Sequence, residues 1–137
     1  MSGTRARTTR SGAPLLAAAL ALLCGAPAWA AAGAPTADIG AGQRVFARCA
    51  SCHQIGGTAG AAFGPQLTGI VGRPAASTRD FAYSPAMKGS RIVWTEAQLA
   101  AFIRDPKQVV PGTSMRFWGL SDERQIANLI AYLRSVK

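Results

Sequence analysis

A single histidine, His53, and only six carboxylate side chains stand among 137 residues. A zinc site needs about four nitrogen, sulfur or carboxylate ligands. Residues 54–137 hold no further Cys or His, so that site lacks ligands. Long apolar runs are also missing: Leu15 to Leu23 is an apolar stretch of nine residues, against the ~20 that cross a bilayer. The charge is basic, but no concentrated basic stripe is interleaved with stacking aromatics, which excludes a nucleic-acid binder. Strand alternation is absent, and so is any internal repeat, which leaves an all-α class.

What the chain does hold is Cys49-Ala50-Ser51-Cys52-His53. Two thiols at this spacing can each add to one vinyl group of a haem, and the adjacent imidazole can bind the iron from one face. A thioredoxin-like redox pair would need a βαβ pattern around it, and none is present. A disulfide between Cys49 and Cys52 would close a very short loop and contribute little stability. Covalent haem c, attached through Cys49 and Cys52 with His53 as metal ligand, is the expected cofactor.

The first 30 residues have the form of an export signal. Arg5, Arg7 and Arg10 make a basic start without acids, Leu15 to Leu23 is the apolar centre, and Ala28-Trp29-Ala30 supplies small residues at a cleavage site. Cleavage after Ala30 is expected, giving a periplasmic protein with no membrane span. The expected organisation is a signal peptide over 1–30, a flexible tail over 31–38 and one domain over 39–137. Without residues 1–30 the chain keeps 107 residues, with twelve Lys or Arg against six acids, a charge of +6. Two haem propionates bring that to about +4. A core of this size is limited, so the apoprotein is expected to fold poorly without its ligand. The net charge favours transient redox partners with acidic docking surfaces.

Asp38 is a candidate cap for a helix from about Ile39 into the haem motif, with Val45 and Phe46 on its apolar side. Gly42, one turn before Phe46, marks a place where another helix crosses closely. Seven glycines between residues 54 and 93 predict a loop-rich stretch. Thr95-x-x-Gln98 has the capping-box pattern for a helix turning Leu99, Phe102 and Ile103 inward. Asp105-Pro106 opens a short helix that Pro111-Gly112 ends. Ser121 is the expected cap of a last helix, with Ile126, Leu129, Ile130 and Leu133 on one face.

A second axial ligand must come from elsewhere, and the candidates are Met115, Met87, a lysine or none. Met115 is preferred because Pro111-Gly112-Thr113 just upstream forms a rigid turn, whereas Met87 sits in an irregular region and suits a core filler.

In order along the chain stand Gly42-x-x-x-Phe46, Cys49-x-x-Cys52-His53, Gly64-Pro65-x-Leu67-x-Gly69, Gly72-Arg73, Trp94, Pro111-Gly112-Thr113-x-Met115-x-Phe117 and Leu129-Ile130-Ala131-Tyr132-Leu133. From Gly42 to Lys137 the sequence resembles class I cytochrome c, which implies the cytochrome c fold: a small helical domain with long loops around a haem. The resemblance makes Met115 the second iron ligand and gives the Pro65 carbonyl the Nδ1–H of His53. It implies that Arg73, Tyr83 and Trp94 donate to the propionates, that Thr113 bonds near the iron ligand, and that Phe117 covers the exposed edge. It also brings Gly42 and Phe46 against Leu129 and Tyr132. Phe102, Met87 and Ser114 depart from residues common in relatives. Arg48, Lys88, Lys107 and Arg116 remain candidates for a cationic docking ring.

The function so implied is that of a monomeric periplasmic electron carrier, not an enzyme, cycling iron between Fe(III) and Fe(II). Two alternatives are a haem subunit of a dehydrogenase or oxidase complex and a peroxidase or gas-binding protein with an open iron position.

Overall fold

The computed structural model describes residues 36–137. The expected export signal, its cleavage site and most of the expected tail lie outside the described residues. Among the described residues five helices follow in order: α1 (Ile39–Phe46), α2 (Pro85–Gly89), α3 (Glu96–Arg104), α4 (Pro106–Val109) and α5 (Glu123–Ser135).

Each helix starts where a short polar side chain can accept from an otherwise unpaired N–H. Asp38 Oδ1 accepts from Ala41 N–H at 3.0 Å, and Thr95 Oγ1 accepts from Gln98 N–H at 3.2 Å. The Thr95 cap is only half a capping box, because the Thr95 N–H donates to the Val93 carbonyl and not to Gln98. Asp122, rather than the expected Ser121, caps α5, with Oδ1 accepting from Arg124 and Gln125 N–H at 2.8 and 3.1 Å. Asp105 ends α3 and caps α4. Its extended backbone, φ −151°, follows from the proline after it, which disfavours the helical conformation. Helix α2 was not expected. Ser84 caps it through Met87 N–H at 3.2 Å, and Pro85 occupies the first turn, where no N–H is needed.

Helices α1 and α5 cross at Gly42. A Cβ there would overlap the Asn128 carbonyl and stand 2.8 Å from Tyr132 Cβ. The main-chain neighbour is therefore Asn128 rather than the expected Leu129. Four residues on, Phe46 tilts against Tyr132 with ring centroids 5.7 Å apart. Asn128 Oδ1 also accepts the Asp38 N–H at 2.8 Å, so Asp38 is tied down although it ends the segment expected to be flexible. Ile126 and Leu129, each 1% exposed, form the centre of the core with Leu99, Phe102, Ile103 and Leu133. Each such side chain contributes about 1.5–3 kcal/mol through burial.

Between Ala47 and Ser84 the chain runs through turns, without a helix. One pairing organises it. Gly72 N–H donates to the Trp94 carbonyl, Trp94 N–H to Arg73 and Ala75 N–H to Ile92, around an isolated antiparallel bridge of Pro74 with Val93. This bridge, outside the all-α expectation in detail, brings Arg73 and Trp94 together.

Candidate functional site

Helix α1 stops at Phe46, earlier than the expected run into the cysteines, and the chain coils into tight turns. Cys49 N–H donates to the Phe46 carbonyl, and the Cys49 carbonyl accepts from both Cys52 and His53 N–H. Next, Gly64 N–H donates to the Cys52 carbonyl and Leu67 N–H to that of Gln54, laying residues 64–67 beside the motif. The Pro65 carbonyl thereby accepts from His53 Nδ1–H at 2.7 Å. Gly64 lies flat on the imidazole, since a Cβ there would come within 2.5–3.0 Å of three ring atoms.

All ten residues singled out in the sequence line one cleft of about 470 Å³: Cys49, Cys52, His53, Pro65, Arg73, Tyr83, Trp94, Thr113, Met115 and Phe117. They come from the turn after α1, the loops before α2 and α3, and the segment between α4 and α5. Met87 of α2 lines it as well. Leu67, Ile70, Leu99, Phe102 and Leu133 give its interior an apolar surface.

Burial holds the His53 imidazole below its usual range, opposed in part by the hydrogen bond to Pro65. A neutral ring whose Nδ1 is occupied keeps Nε2 as its lone-pair donor. Burial pushes the Cys49 thiol up, and Cys49 and Cys52 are free thiols. Arg73 donates to the Thr68 and Gln66 carbonyls at 2.9 and 2.7 Å. Burial lowers its guanidinium, and Tyr83 and Asp80 oppose the shift. The Tyr83 hydroxyl is hydrogen-bonded to Thr78 Oγ1 at 2.6 Å, and Phe81 meets the Tyr83 ring edge-on at 5.0 Å. Thr113 Oγ1 accepts from the Met115 N–H at 3.3 Å.

No carboxylate lines the cleft, whereas exposed Arg48 and Arg116 do. Among the described residues no three His, Cys, Asp or Glu side chains gather as a metal-ion site. An apolar slot of ligand size, two free thiols on its wall and one neutral imidazole fit a flat macrocycle that brings its own iron. Sequence reasoning missed Phe63 and Phe81 on the wall, and the role of Gly64 against the ring. Gly64 directly before Pro65, in a motif that faces the only histidine, was the available signal.

The Cytochrome c family profile matches residues 39–137. The chain belongs to the cytochrome c family. It is 48% identical over 118 residues to cytochrome c-554 of Methylosinus trichosporium, with 86% of each chain covered. It is 46% identical over 107 residues to cytochrome c2 of Blastochloris viridis, covering 77% of this chain and 84% of that one. The solved structure of cytochrome cH from Methylobacterium extorquens superposes with a TM-score of 0.68 at 39% identity, covering 72% of this chain and 98% of that one. This cytochrome accordingly carries one covalent haem c, with Cys49 and Cys52 as its attachment pair. It is an electron-transfer protein and not an enzyme.

Proposed function

We propose that this cytochrome is a monomeric periplasmic carrier, starting after Ala30, that holds its iron between His53 and Met115 and exchanges single electrons with acidic partner proteins. The observation that carries the reading is the convergence of ten residues of nine types on one cleft that contains the sole imidazole. When bound, the haem supplies a reversible Fe(III)/Fe(II) couple.

The protein's part is to hold that couple still. His53 enters as a neutral donor, with its tautomer fixed by the Pro65 carbonyl. The preference for Met115 over Met87 is supported by the Thr113 hydrogen bond to its main chain and by the proline-bearing turn before it. A soft, neutral thioether favours ferrous iron and raises the potential. Arg73, Tyr83 and Trp94 supply N–H and O–H groups for carboxylates that would otherwise be costly to enclose. Arg73 has five N–H donors, so its two carbonyl bonds leave others for a propionate. Phe117 covers the ring at the mouth, beside Arg116.

Met115→Ala tests the ligand. The haem stays attached, the weak red absorption of the ferric iron–sulfur bond disappears, the potential falls, and exogenous ligands such as carbon monoxide bind. An unchanged red band would remove Met115 from the iron.

A further inference from the structure

The cleft-lining run from Thr113 to Phe117 ends abruptly at Trp118. Phe117 lines the cleft, while Trp118 does not and is 93% exposed. A haem in the cleft therefore leaves the indole in solvent. The main chain that carries it is fixed: Leu120 N–H donates to the Ile103 carbonyl at 3.0 Å, and Leu120 is buried. Gly119, with φ +92°, lies so close to the Arg104 carbonyl that a Cβ there would overlap it. Trp118 thus stands on a rigid strap at the edge of the redox site. The Lys107 Nζ lies 5.0 Å from its ring centroid.

Charge points the same way. All six acids are already engaged. Asp38, Asp105 and Asp122 cap helices. Asp80 accepts from Ala61 N–H, and Glu96 and Glu123 pair with Arg134 and Arg104. Lys107, Arg116 and Arg48 have no salt-bridge partner among the described residues. Large aromatic rings and arginines, pre-organised and desolvated together, are the side chains that dominate binding energy at protein interfaces.

We propose that Trp118 anchors the docking of the acidic redox protein, its indole entering an apolar recess of that partner inside the cationic ring already expected of Lys107, Arg116 and Arg48. The proposal rests on the carrier reading above and assigns its contact residue. A second copy of this chain would bring like charge to like charge, which disfavours it as the occupant.

The test uses the haem-loaded protein. Detergent-solubilised respiratory membranes of the organism that makes it oxidise the ferrous form, followed at the haem absorption, with ferricyanide as a small oxidant that needs no docking. Trp118→Ala is expected to raise KM about tenfold or more, with kcat, potential and ferricyanide rate unchanged. Trp118→Phe recovers much of the loss. Lys107→Ala raises KM a few-fold at low salt, and high salt removes the difference. Ile39→Ala, an exposed apolar residue away from the cleft, leaves KM as it was. An unchanged KM in Trp118→Ala overturns the proposal and leaves the carrier reading standing. So does an equal slowing with ferricyanide, which would mark a disturbed cleft. A Trp118-dependent dimer in sedimentation, or Trp118-dependent binding to phosphatidylglycerol vesicles, also overturns it. Wild-type protein that the membranes fail to oxidise overturns the carrier reading, and the docking proposal with it.

Discussion

The crossing of α1 and α5 and the looped stretch between residues 47 and 94 solve the same problem by opposite means. At the crossing the protein packs against itself: Gly42 admits the Asn128 carbonyl, Phe46 meets Tyr132, and Ile126 and Leu129 vanish from solvent. The loops have little apolar interior of their own. They are held by paired hydrogen bonds between turns, Thr68 with Gly56 and Arg73 with the Thr68 and Gln66 carbonyls, and their apolar side chains line the cleft. One region is closed mostly by its own side chains, with Phe46, Leu129 and Leu133 at the cleft, while the other needs the haem as its core. The stability of the second should therefore follow the cofactor more steeply than that of the first.

Removing both thiols should separate the two regions most strongly. In Cys49→Ala with Cys52→Ala, haem staining after denaturation is expected to vanish, and amide exchange should become fast across residues 54–93 while α1 and α5 keep the greater protection. Equal loss of protection in both regions would merge them into one unit. Gly42→Ala attacks the other side. The added methyl meets main chain that cannot step aside, so a loss of about 2–3 kcal/mol is expected in denaturant titration, with haem attached and the red band retained. Gly64→Ala is milder for stability but local to the iron. The new methyl displaces the His53 ring, lengthens its bond to Pro65 and lowers the donor strength, read as a shifted potential with the fold intact.

The smallest effect concerns acid. The N–H of Ala41 holds the Asp38 carboxyl below its ordinary value. A depressed carboxylate stabilises the fold above its unfolded pKa of about 3.9, and that contribution fades as pH falls through the lower folded value. Asp38→Asn keeps the cap but loses the titration. Its melting temperature should therefore fall less than that of wild type on going from pH 5 to pH 2, as followed by circular dichroism of α1.

The same division explains what the sequence made legible. Helices α1, α3, α4 and α5 announce themselves through caps and apolar spacing, and the one displaced cap reflects two neighbouring residues, Ser121 and Asp122, that are both good cap formers. Helix α2 is five residues long, too short for any period to appear. The Pro74–Val93 bridge is a single pair and leaves no alternation. The ten candidate residues were singled out by the chemistry and order they share with a family, since no spacing foretells that Tyr83 and Phe117 line one cleft. Trp118 went unremarked, since exposure is a property of the folded chain and an isolated tryptophan in a loop carries no pattern.

Asn128 deserves a last consequence. Its side chain accepts the N–H of Asp38, ninety positions earlier, and its carbonyl fills the space left by Gly42. The first helix thus has no seat until almost the whole polypeptide has been synthesised. The turns around Cys49 and Cys52 need only residues 46 to 67, but the docking of α1 waits for the final helix.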